Sequence, residues 1–182
     1  MMVTFRYLLF GAFYPLLTGS ALGAELTGTS VHFHGTVVSQ PCSVAPGSEK
    51  ILVDFKHVSV KDFYLNKTST PVPFSIRLVN CTTAVYDSVT VTFSGEENSE
   101  LSNHLTIHPV SGGGAAGVAI GLKLQNGQSV ELNKATPLTR LSTGNMNLGF
   151  TAYLEGEPDA LHKREIYYGP FTASARYTLN YQ

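Results

Sequence analysis

Six histidines are the residues best placed by type to do chemistry in this 182-residue chain. His32 and His34 are one residue apart in "VHFHGTVV" (31–38), so a strand there would put both imidazoles on one face, a spacing that can ligate a metal. His57, His104, His108 and His162 fall in unrelated contexts and complete no recognisable ligand set, so the pair reads as solvent-facing strand residues. Zinc needs about four ligands, and no C-x-x-C or clustered His/Cys set is present. "SGGGAAG" (111–117) lacks the Lys-Ser/Thr that completes a phosphate loop and reads as a flexible connection. There is no G-x-S-x-G, and Asp159 and Glu165 look like solvated loop charges. No catalytic residue, metal or cofactor is expected.

The two cysteines, Cys42 and Cys81, have a different chemistry in view, set by where the chain goes. "MMVTFRYLLFGAFYPLLTGSALGAE" carries one basic residue, Arg6, then an apolar run from Tyr7 to Leu17, then small residues. That is the pattern of a secretory signal peptide, cleaved after Ala24 or Gly23, with an apolar core too short for a comfortable membrane span. Both thiols then belong to an exported chain and most simply form one disulfide, which the chain-entropy argument values at on the order of 4 kcal/mol. In that setting the triplets "NKT" (66–68) and "NCT" (80–82) are not expected to carry glycans. The whole chain has a formal net charge of −1, with nothing to suggest nucleic acid or an anionic membrane as partner. No second long apolar run follows residue 24, so membrane insertion of the exported part is not expected.

Strand signals fill the rest. Alternating apolar residues mark 30–38, 50–58, 73–81, 87–95, 104–110, 117–132 and 145–156, and a last strand runs from Phe171 to the end. Within 117–132, Asn126-Gly127 between alternating runs is a strong hairpin signal. Only "DALHKRE" (159–165) could form a turn or two of helix. Short strands separated by Gly, Pro, Ser and Asn indicate an all-β sandwich in one domain.

The two ends of the exported chain are unusual. Val31, Phe33, Gly35 and Val37 share one face of the first strand, with a glycine where close backbone approach would leave no room for a side chain. At the other end Phe171, Ala173, Ala175, Tyr177, Leu179 and Tyr181 alternate with polar residues up to Gln182. An apolar strand with no chain after it has nothing of its own to close the sheet.

The order of these features resembles the pilin subunits of chaperone–usher pili, the type 1 and P fimbriae of Gram-negative bacteria. "VHFHGTVVSQPCSV" resembles that family's N-terminal extension and first cysteine, and "PFSIRLVNC" the strand bearing the second. "ARYTLNYQ" resembles its C-terminal signature with the second-last tyrosine, Tyr181, and Gly169 falls on its glycine fourteen places from the end. The resemblance implies an incomplete immunoglobulin-like sandwich lacking its seventh strand. It implies a division into a signal peptide (1–24), a donor-strand extension (25–41) and a pilin domain (42–182).

On this resemblance a periplasmic chaperone fills the groove beside the last strand, contacting Gly169, Phe171, Ala173, Ala175, Tyr177, Leu179, Tyr181 and the Gln182 carboxylate. At the outer-membrane usher, the extension of the next subunit takes its place. The expected role is a structural, non-enzymatic subunit of a surface fimbrium that contributes to adhesion, in the shaft, at a junction or as a minor component. The charged, aromatic stretch "LEGEPDALHKREIYYG" before the last strand suits a minor subunit; the alternative is that Tyr167-Tyr168 simply anchor that loop on the sandwich. A pilus-terminating or anchoring subunit is the alternative. From a different class, an exported metal-binding sandwich enzyme similar to a copper/zinc dismutase shares the disulfide and the His pair.

Overall fold

The structure is a computed structural model that describes residues 30–37, 39–110 and 113–182. The expected signal peptide and residues 25–29 of the expected extension lie outside these. Residues 30–37 and the body from Val38 onward are separate units. In the first unit the described chain has no helix or strand and every residue is exposed.

In the body the elements follow as β1 (Ser43–Val44), α1 (Val60–Asn66), β2 (Val72–Cys81), β3 (Ser88–Gly95), β4 (Leu105–Thr106) and β5 (His108–Pro109). Then come β6 (Val118–Leu124), β7 (Thr139–Arg140), β8 (Gly144–Gly156), α2 (Pro158–Lys163), β9 (Phe171–Thr172) and β10 (Ala175–Tyr181). Five strands pair in the order β1-β2-β8-β6-β4, and three in the order β10-β3-β7. A small β5-β9 pair stands apart, and every pairing is antiparallel.

Alternation explains the core. Ile76 and Leu78 on β2, Leu148, Phe150, Ala152 and Leu154 on β8, and Val89, Val91 and Phe93 on β3 are buried where the two sheets face each other. The Phe93 ring meets Phe150 edge-on at 4.9 Å and Phe74 at 6.2 Å, which aligns the Gly95 end of β3 with the Val72 end of β2. Cys42 and Cys81 form the expected disulfide and tie the start of β1 to the end of β2.

Several expected strands are modified. The run 104–110 breaks into β4 and β5, which join different sheets. The Asn126-Gly127 turn forms, with Gly127 at φ 86° and Leu124 N donating to Gln128 O at 2.8 Å, but its second arm pairs only through isolated bonds near Ser129 and Val130. The last strand divides at Ala173–Ser174: β9 pairs with β5, and β10 with β3. Residues 50–58 join no sheet among the described residues, and Lys56 there takes a left-handed backbone at φ 53°. Helix α1 was not expected; Ser59 caps it by accepting from Lys61 N, and Phe63 is its one buried residue. Helix α2 falls where a turn or two was expected, with an exposed Asp159–Lys163 ion pair along one side.

Candidate functional site: an open groove beside the last strand

β10 is the longest edge strand of the sandwich, and its pairing with β3 shows which of its backbone groups are unused. Gln182 N donates to Ser88 O at 3.0 Å, and Ser88 N to Gln182 O at 3.1 Å. Antiparallel alternation then makes Arg176–Ser94, Thr178–Thr92 and Asn180–Thr90 the hydrogen-bonded pairs. The N–H and C=O groups of Ala175, Tyr177, Leu179 and Tyr181 therefore point away from β3, toward an edge where, among the described residues, no strand pairs. Their side chains lie on the inner face, yet Tyr177, Leu179 and Tyr181 are only half-buried and Ala175 is exposed. In a closed sandwich these positions would be core.

The opposite wall is the segment 50–58. Ile51, Val53 and Phe55 are half-buried against the core, whereas Leu52, Asp54 and Lys56 are exposed. Among the described residues its backbone makes no hydrogen bond to other backbone; Lys56 N is satisfied locally by the Asp54 carboxylate at 2.8 Å. Phe55 meets Phe171 at 6.1 Å between ring centroids, and the Tyr177 hydroxyl donates to Ser48 O at 2.6 Å. The wall thus runs alongside β9 and β10 in the opposite sense, without a ladder between them. Two backbone edges with unmet hydrogen-bonding capacity flank a half-covered apolar floor. This second wall was not recognised as part of a site in the sequence; its signal was the Ile51/Val53/Phe55 alternation.

Burial, and secondarily the charge of Glu49, raises the Tyr177 phenol above its ordinary value; burial, and secondarily Tyr177, does the same for Tyr181. Gly169 has φ 148°, and a Cβ there would come within 2.5 Å of Gly113 O and 2.8 Å of Gly114 Cα. Close backbone packing therefore requires glycine at the loop that feeds β9 and β10. Pro170 O accepts from Val110 N in the same place.

Val31, Phe33 and Val37 are far from buried: Phe33 is 91 % exposed and Val37 101 %. A Cβ on Gly35 would meet nothing within 4 Å. His32 lies 3.5 Å from Ser30 Oγ, and His34 is exposed. His104 bonds to Tyr153 Oη and Glu155, and His108 to Glu96. Among the described residues no three His, Cys, Asp or Glu side chains are grouped to hold a metal. Tyr167 and Tyr168 do not anchor their loop through their rings, since both side chains are exposed.

Comparison with known proteins shows the family and the fold. The fimbrial protein family matches residues 31–182. PmfF of Proteus mirabilis, assigned as a minor fimbrial subunit, is 38 % identical over 92 % of each chain. The fimbrial adapter PapK of Escherichia coli is 34 % identical over 92 % of this chain and 96 % of its own. The P pilus rod subunit PapA superposes with a TM-score of 0.66 at 26 % identity, covering 79 % of this chain and all of PapA's. The chain belongs to the fimbrial protein family and is a structural pilus subunit of the chaperone–usher type, built on an immunoglobulin-like sandwich that lacks its seventh strand.

Proposed function

We propose that the groove between β10 and residues 50–58 is an acceptor for a strand supplied by another molecule, and that residues 25–41 are the strand this subunit supplies in turn. The observation that carries the reading is the alternating set of unpaired backbone groups at Ala175, Tyr177, Leu179 and Tyr181, facing a wall that also lacks a ladder. An inserted strand satisfies both edges by β-augmentation and covers the half-exposed floor. Burying Val31, Phe33 and Val37 of the incoming extension contributes roughly 5–8 kcal/mol together. Each ladder bond adds about 0.5–1.5 kcal/mol net, against about 1–2 kcal/mol per residue for ordering the extension. The balance is favourable because the groove walls are already in place.

A periplasmic chaperone fills the groove first, along Phe171, Ala173, Ala175, Tyr177, Leu179, Tyr181 and Gln182. At the outer-membrane usher the extension of the next subunit replaces it, and the chain is carried to the cell surface as part of a fimbrium that supports adhesion. The subunit is not an enzyme and uses no cofactor; it serves in the shaft, at a junction or as a minor component.

A synthetic peptide of residues 30–38 tests this. Added to the subunit, it is expected to raise the melting temperature, whereas a Phe33→Asp or Gly35→Leu peptide is not. Equal shifts from all three peptides would show that the groove does not read the extension's apolar face.

A further inference from the structure

Two exposed apolar sites lie at opposite ends of the sandwich. Tyr168 is 85 % exposed on the loop that runs into β9 and β10. Val85 is 71 % exposed on the loop that follows Cys81. The Tyr168 loop is not a loose segment. Ala116 and Tyr167 exchange two backbone hydrogen bonds at 3.1 and 3.2 Å, and Gly169 is packed against Gly113 and Gly114. A well-fastened loop that holds two tyrosines outward has the character of an interface, where tyrosine is enriched among the residues that dominate binding.

We infer that the Tyr167–Tyr168 loop is the seat on which the folded domain of the next copy rests, and that the loop carrying Val85 on that copy is what sits there. The inference rests on the donor-strand reading above. Every strand pair in the sandwich is antiparallel, so an extension added to β10 runs antiparallel to it and places Val37 at the Ala175 end. That end is also where the Tyr167–Tyr168 loop feeds the strand. From Val37 to Cys42 the chain reaches at most about 18 Å. Cys42 is fixed to Cys81, and Thr82 N donates to Pro41 O at 2.8 Å, so the 82–87 loop travels with the linker. The next domain is therefore held, Val85 end first, against the aromatic end of the acceptor. The contact joins unlike surfaces head to tail and propagates along an open fibre.

Full-length subunits carrying both Tyr168→Cys and Val85→Cys, assembled into fibres and oxidised, test the contact. The expected result is a ladder of covalent oligomers after boiling in denaturant without reductant; monomers alone would overturn the inference. A Tyr167→Ser/Tyr168→Ser chain provides the second readout. Linked subunit pairs built from it should dissociate in guanidinium about tenfold faster than wild type, while the melting shift caused by the 30–38 peptide is unchanged. Dissociation within twofold of wild type, with that shift intact, removes the seat but leaves the donor-strand reading standing. Loss of the peptide shift in the wild-type chain removes both.

Discussion

The Tyr177 hydroxyl ties the two groove walls by donating to Ser48 O, and Ser48 Oγ in turn accepts from Arg77 N on β2. Tyr177→Phe keeps the ring and removes the tie, so guanidinium unfolding should show a loss of about 0.5–1.5 kcal/mol. Gly169→Ala meets backbone on its neighbours and should cost roughly 1–3 kcal/mol in the same assay; wild-type stability would mean that the loop can shift aside. Tyr177 and Tyr181 have folded-state values raised by burial. Their contribution to stability is complete below the ordinary tyrosine range near 10 and is lost as pH rises through the folded values. Ultraviolet titration should therefore show these phenols ionising later than exposed tyrosines, with their own contribution to stability declining only above about pH 10. At this scale the sequence was informative about the inner face of the last strand, because period-two alternation survives folding. It left open whether Tyr167 and Tyr168 anchor their loop, since their ring exposure depends on backbone contacts that carry no side-chain signal.

Elements whose pattern and partner both lie within the chain were legible: β2, β3 and β8 match expected strands to within a residue or two. The Asn126-Gly127 turn was legible for the same reason, since a type of turn that demands φ > 0 announces itself in residue type. Helix α1 was not, because seven residues with one buried side chain show no helical period. Segment 50–58 has a strand's alternation without a strand's ladder, and on the present account its hydrogen-bonding partner is another molecule's extension. The break of the last strand at Ser174 was invisible to alternation, since Phe171 and Tyr177 remain in phase across it. Removing the last few residues of β10 deletes one groove wall, so on the proposed function the truncated chain should no longer co-purify with a periplasmic chaperone. Undiminished co-purification would place the chaperone contact elsewhere. Leu78→Ala, at a fully buried position on β2, should instead destabilise the body by about 2–5 kcal/mol without changing which peptide the groove selects.

For the whole molecule, an unfilled sandwich edge and an exposed segment bearing Val31, Phe33 and Val37 lead, on the proposed function, to a chain that completes itself by polymerising. The family was legible in the order of its motifs, whereas the geometry of the groove needed both walls in place. Hydrogen exchange along β10 reads the unfilled edge amide by amide. In the isolated subunit the amides of Ala175, Tyr177, Leu179 and Tyr181 should exchange rapidly while those of Arg176, Thr178 and Asn180, paired with β3, are protected. In the assembled fibre both sets should be protected. Odd-numbered amides already protected in the isolated subunit, or still exchanging rapidly in the fibre, would contradict the account.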